Sequence, residues 1–142
     1  MINCTRRIEF DAAHRVMNHE SKCKMLHGHR YVLEITFSSE RLDNLGRVVD
    51  FGVIKDILGN WIDKNWDHNT ILNIKDKELG DYIVKITKQK IYYLENNPTA
   101  ENMADYLFHK ICPELFQDYN ISIQQIKLFE TPNCSAEVSI DN

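Results

Sequence analysis

From His27 to Phe37 the chain alternates too strictly to be read as anything but a strand. His27, His29, Tyr31, Leu33, Ile35 and Phe37 fall on one side, while Arg30, Glu34 and Thr36 fall on the other. Successive strand side chains project to opposite faces, so this period of two assigns one apolar face. Thr5 to His14 repeats the pattern, with Ile8, Phe10, Ala12 and His14 on one face and Arg7, Glu9 and Asp11 on the other. The polar stretch "SSERLDNLGR" reads as a loop between strands, and "VVD" as the segment closing that hairpin.

The period then changes. Val53, Ile54, Ile57, Leu58, Trp61 and Ile62 recur at helical spacing behind Asp50, a suitable N-cap. "NPTAENMADYLFHKICP" gives a second helix, capped by Thr99, with Glu101 in its first turn and Pro113 marking its end. Between these helices, "KELGDYIVKITKQ" reads as a further helix and "KIYYL" as a short strand. Two last strands, about 121–131 and 135–140, are joined by the turn "PNC". The order implies an α+β domain with a mainly antiparallel sheet.

A chain of 142 residues fits one domain, 1–142, with one core. The net charge of −4 argues against nucleic acid, which calls for a basic face. No apolar run approaches the length of a membrane span, and no signal peptide is read at "MINCTRRIEF". A cytoplasmic location follows as the expectation. Cys4, Cys23, Cys112 and Cys134 are irregularly spaced and read as free thiols.

The chemistry gathers at "CKMLHGH". Residues two apart on a strand project to one side about 7 Å apart. His27 and His29 can therefore converge on one ion, with Gly28 between them leaving room. His14 ends the neighbouring strand on its apolar face, so three imidazoles can meet at one end of a hairpin. Three histidines and an open position form the pattern of catalytic zinc, with iron, cobalt and nickel also open. The plainer readings are a hydrogen-bonded core histidine for His14, an inert thiol for Cys23, a turn for Asp67 and His68, and a solvated strand end for Glu130. His19 and His109 lack same-face partners and read as surface or packing residues.

The ordered set of motifs favours chemistry. "FDAAHR", "CKMLHGH", "VVDFGVIK", "WDHNTILN", "NPTAEN" and "KLFET" run in that order over nearly the whole chain. Together they resemble the 6-pyruvoyl-tetrahydropterin synthase and 6-carboxytetrahydropterin synthase family. The resemblance implies a tunnelling fold: a four-stranded antiparallel sheet with two helices on one face, assembled as a homohexamer of two trimers with active sites between subunits. It implies Zn2+ held by His14, His27 and His29, with Cys23 as the base and Asp67 and His68 as a proton relay from a neighbouring subunit. Glu130 would anchor the pterin, with Thr99 and Glu101 as further substrate contacts. Arg15, Lys22, Lys24 and Arg30 are candidates for the triphosphate.

The activity so implied is conversion of 7,8-dihydroneopterin triphosphate to 6-carboxy-5,6,7,8-tetrahydropterin, with release of acetaldehyde and triphosphate, in queuosine and deazapurine synthesis. The three-residue gap between Cys23 and His27 favours the carboxy product, since the pyruvoyl branch carries a longer gap. The alternatives are triphosphate elimination alone, giving 6-pyruvoyl-tetrahydropterin, and a pterin-binding protein without turnover. One departure from the family stands out: the segment between "WDHNTILN" and "NPTAEN" is longer than in its compact members.

Overall fold

The computed structural model describes residues 1–140. The strands in chain order are β1 (Ile2–His14), β2 (His27–Ser39), β3 (Asn69–Asn73), β4 (Ile91–Leu94), β5 (Ser122–Thr131) and β6 (Cys134–Ser139). Three helices, α1 (51–65), α2 (Lys77–Thr87) and α3 (100–115), are set between them. The four strands that the resemblance implies are present as β1, β2, β5 and β6, paired antiparallel in that order, and the helix read in "KELGDYIVKITKQ" and the strand read in "KIYYL" are present as α2 and β4.

The sheet is nevertheless six-stranded and mixed, not four-stranded and antiparallel, and there are three helices rather than two on one face. β3 pairs parallel with Ala12 to His14 of β1, and β4 pairs parallel with β3. β3 is half-buried at Asn69 and fully buried from Thr70 to Asn73, so it carries no alternation to betray it. The longer segment thus extends the sheet beside the end of β1. Its helix α2 approaches β4 so closely that a Cβ on Gly80 would lie 2.0 Å from the Tyr93 hydroxyl. Any side chain there would force the Tyr93 phenol to move.

Two smaller expectations also change. "VVD" does not pair as a strand; Arg47 folds back on Asp43 through backbone and side-chain bonds, and Val49 drops into the core. Pro113 does not end α3, which continues to Leu115. A π turn at Leu107–Ile111 widens the helix just before the proline, which lacks an N–H to donate. A matching π turn at Lys55–Gly59 lies within α1.

The core lies between α1, α3 and one face of the sheet. Phe10, Tyr31, Leu33, Ile35, Phe37, Ile126 and Leu128 face Ile54, Leu58, Ile62, Met103 and Leu107, all 0 % exposed. Full burial of each such side chain stabilises by about 1.5–3 kcal/mol. Asp50 and Thr99 cap their helices as expected, accepting from the N–H groups of Gly52 and Asn102. Trp66 is packed among Phe10, Trp61, Tyr92 and Tyr106, and fixes the chain just before Asp67. Among the described residues no helix is long and apolar enough to cross a membrane.

Candidate metal centre and its flanking dyad

The face that forms the core continues into the site. On β1 it runs Phe10, Ala12, His14, and on β2 it runs back through Tyr31, His29 and His27. The antiparallel register sets His14 opposite His27 and Ala12 opposite His29. Three imidazoles therefore meet at one end of the hairpin, with ring centroids 4.7, 4.7 and 5.1 Å apart. His14 is 1 % exposed.

The outer nitrogens of two rings are committed. His14 Nδ1 lies 2.7 Å from the Pro98 carbonyl, and His27 Nδ1 lies 2.7 Å from the Met25 carbonyl. A carbonyl only accepts, so each Nδ1 carries the proton and each Nε2 carries a lone pair. Those two Nε2 atoms face each other at 3.2 Å. Neutral imidazoles held so would repel unless a cation lay between them. Burial also pushes the pKa of His14 down, against the Pro98 hydrogen bond and the Glu130 charge, which act the other way. Burial lowers His29 likewise. Both effects favour the neutral, ligating form. His29 Nε2 is itself buried without a hydrogen-bond partner, although Glu130 Oε1 is only 3.0 Å away. The donor set fits a divalent metal ion.

The Pro98 carbonyl is itself held. Asn97 clamps the backbone of Met17, accepting from its N–H at 3.3 Å and donating to its C=O at 3.1 Å. Asn73 donates to the same Asn97 oxygen, and Asn102 donates to the Asn97 carbonyl. Sequence reasoning missed Asn97, Asn73 and Pro98. The motif "NPTAEN" is the available signal, but its Asn97 and Pro98 show no local pattern that ties them to Met17 or His14. Tyr31 lies 3.2 Å from His14 Nδ1 and stays a neutral phenol, since burial and the Glu130 charge push its pKa up.

Asp67 and His68 form a second, exposed group beside β1. Asp67 Oδ1 accepts from the Asp11 N–H at 3.0 Å, and the His68 N–H donates to the Asp11 carbonyl at 2.6 Å. His68 sits at φ 59°, an uncommon conformation for a residue with a side chain. Asp67 Oδ2 is 2.9 Å from His68 Nδ1, which fixes that nitrogen as the donor and leaves Nε2 free. The hydrogen bond and charge of Asp67 raise the His68 pKa. Burial works to raise Asp67, but hydrogen bonds from Asp11 and His68 outweigh it and hold the carboxyl below its usual range. Gln89 donates to the His68 carbonyl at 2.9 Å, so the longer segment braces this loop. His68, Gln89, Arg30 and His29 line one open groove of about 390 Å³.

The other sequence candidates divide. Cys23 is partly buried in the turn Lys22–Lys24, whose backbone accepts from Val16, and it lies outside the group of converging donors. All four cysteines are free. Glu130 joins the three histidines instead of standing apart from them. Thr99 uses its hydroxyl oxygen as the α3 cap, one residue from Pro98, and Glu101 is exposed. Arg15 is committed to the buried Asp76 through both arms of its guanidinium, and Arg30 pairs with Asp11 at 2.9 Å. Lys22 and Lys24 are exposed beside Cys23.

Known proteins match this chain over nearly its whole length. A family model described as 6-pyruvoyl tetrahydropterin synthase matches residues 3–141. A Rickettsia bellii protein named 6-carboxy-5,6,7,8-tetrahydropterin synthase is 58 % identical over 97 % of this chain and 100 % of its own. A Rickettsia felis protein of the same name is 56 % identical with the same coverage. Among solved structures, a Wolinella succinogenes protein of uncharacterized function aligns with a TM-score of 0.82 at 20 % identity, covering 99 % of this chain and 98 % of its own. The Caenorhabditis elegans 6-pyruvoyl tetrahydropterin synthase aligns with a TM-score of 0.67 at 23 % identity, covering 99 % and 96 %. The structural likeness speaks for the fold, and the family match with the closer sequences speaks for descent: the chain belongs to the 6-pyruvoyl tetrahydropterin synthase family, a family of enzymes.

Proposed function

We propose that the chain, acting as one domain over 1–142, converts 7,8-dihydroneopterin triphosphate to 6-carboxy-5,6,7,8-tetrahydropterin, with release of acetaldehyde and triphosphate, in queuosine synthesis. The observation that carries this reading is the convergence of His14, His27 and His29, with the proton-bearing Nδ1 atoms of His14 and His27 turned outward and their bare Nε2 atoms turned inward. The names of the relatives that match from end to end support the carboxy product, as does the three-residue gap between Cys23 and His27.

Zn2+ held by the three histidines would supply a Lewis acid for the side-chain hydroxyls of the substrate. Cys23, set in a turn just ahead of the ligand strand, is the base that removes a carbon-bound proton. His68, kept in one tautomer by Asp67, carries protons through its free Nε2. Glu130 offers two carboxylate oxygens to the amino and ring N–H groups of the pterin. Thr99 and Glu101 lie near enough in sequence to add contacts. With Arg15 and Arg30 already paired, Lys22 and Lys24 are the cations for the triphosphate. We place the enzyme in the cytoplasm as a homohexamer, with Asp67 and His68 serving a neighbouring subunit's histidines.

Incubation of the pure protein with 7,8-dihydroneopterin triphosphate, followed by mass spectrometry, tests the reading. It requires 6-carboxy-5,6,7,8-tetrahydropterin with acetaldehyde and triphosphate in equal amounts. Accumulation of 6-pyruvoyl-tetrahydropterin without acetaldehyde would replace it with simple triphosphate elimination, and no conversion would leave a binding protein.

A further inference from the structure

Glu130 lies against the three histidines. Ile126, Leu128 and Glu130 share the core-facing side of β5, and the pairing with β6 slips by one residue between Phe129 and Thr131. Glu130 is the extra residue of that bulge. Bulges re-aim a side chain, and this one aims a carboxylate at the histidines. Glu130 Oε1 lies 3.0 Å from His29 Nε2 and 3.9 Å from His14 Nε2, while His14 and His27 Nε2 are 3.2 Å apart. A tetrahedral zinc ion with ligand bonds of about 2.0–2.1 Å separates its donors by about 3.3–3.4 Å. These three separations straddle that value and all four donor atoms lie within 4.8 Å of one another, so the Glu130 oxygen stands within reach of an ion between the histidines. The contact with His29 is not a substitute hydrogen bond, because His29 Nε2 has no partner in hydrogen-bonding geometry.

We propose that Glu130 is the fourth protein ligand of the metal in the substrate-free enzyme, and that the pterin ring opens the centre by drawing this carboxylate away. The first half rests on the donor geometry; the second rests on the pterin reading above. A carboxylate ligand lowers the charge of a half-buried three-histidine site from +2 to +1, which stabilises the resting form. It also fills the position a substrate hydroxyl would take. The same carboxylate cannot hold the metal and present both oxygens in line to a pterin, so the two roles exclude each other. By linkage, a pterin lacking a side chain must weaken metal binding by the same factor that metal weakens binding of that pterin. A substrate with side-chain hydroxyls replaces the lost oxygen and escapes this penalty.

The test is metal affinity, read without turnover. Zn2+ dissociation constants are measured by chelator competition for the wild type and for Glu130→Gln, and Co2+ absorption spectra are recorded for both. Loss of outer-shell partners alone costs about 10–100-fold in metal affinity, so loss of a direct ligand should cost at least about tenfold. The Co2+ bands should change in the same variant. Unsubstituted pterin should weaken Zn2+ binding to the wild type and leave Glu130→Gln unaffected. A variant affinity within about twofold of wild type would overturn the proposal whether or not the enzyme makes a pterin product. If Glu130→Gln does not fold, the wild type decides: Co2+ bands unmoved by saturating pterin reject the opening. Failure of the wild type to bind pterin would instead count against the pterin reading and the opening, leaving the ligand assignment to the affinity comparison.

Discussion

Replacing Asn97 by Ala should loosen the metal centre without touching a ligand. The side chain accepts from Met17 N–H and Asn73 Nδ2 and donates to Met17 C=O. Each such bond is worth about 0.5–1.5 kcal/mol net, so their joint loss should lower stability by about 2–4 kcal/mol. The next residue, Pro98, supplies the carbonyl that holds His14 Nδ1. If that carbonyl drifts, the His14 ring loses its fixed tautomer and orientation. Outer-shell losses of this kind cost about 10–100-fold in metal affinity, or about 1.4–2.7 kcal/mol. Urea melts give the first quantity, and Zn2+ competition on the folded variant gives the second. Leu107→Ala is the control. It removes a fully buried side chain from α3, should cost about 2–5 kcal/mol, and should leave metal affinity as it was. A destabilised Asn97→Ala with wild-type affinity, or a Leu107→Ala equally weakened in metal binding, would refute the positioning argument.

Cys23→Ala should keep metal and pterin binding while turnover falls by about 10²-fold or more, measured by steady-state kinetics beside elemental analysis; unchanged turnover removes Cys23 as the base. Asp67→Asn should shift the His68 titration midpoint down towards the ordinary value of about 6.5, followed by its imidazole resonances. Asp67 raises the folded pKa of His68, so the pair's contribution is present below the unfolded value and fades as pH rises through the folded one; an unmoved midpoint would deny the coupling. Gly80→Ala should destabilise by about 1–3 kcal/mol in a urea melt, because the added methyl meets the Tyr93 hydroxyl at 2.0 Å; a neutral result would show that α2 shifts freely.

Residues that act along one strand were legible, and residues that act across the fold were not. Alternation alone put His27 and His29 on one face with Tyr31 and Leu33. The same alternation put His14 beside Phe10 and Ala12. Their meeting, however, needs the register that sets His14 opposite His27, which no local pattern states. Glu130 could be named, but its approach to His29 depends on a one-residue bulge against β6. β3 escaped notice because a strand buried on both faces shows no period. Val48 and Val49 misled because burial in a loop looks like burial in a short strand. Asn97 was silent because its partner Met17 lies 80 residues away. The resemblance to a family supplied the roles of Cys23, Asp67 and His68, and the structure adds why the last two stay together: both are tied to Asp11.

The central claim is that three imidazoles converge because a metal ion belongs between them. Elemental analysis of purified wild type and His29→Ala, after dialysis against a weak chelator, tests it most directly. The account predicts about one divalent ion per wild-type chain, and loss of most of it in His29→Ala with the far-UV spectrum unchanged. Full metal occupancy in a folded His29→Ala, or a wild type that turns over its substrate with no metal at all, would contradict it.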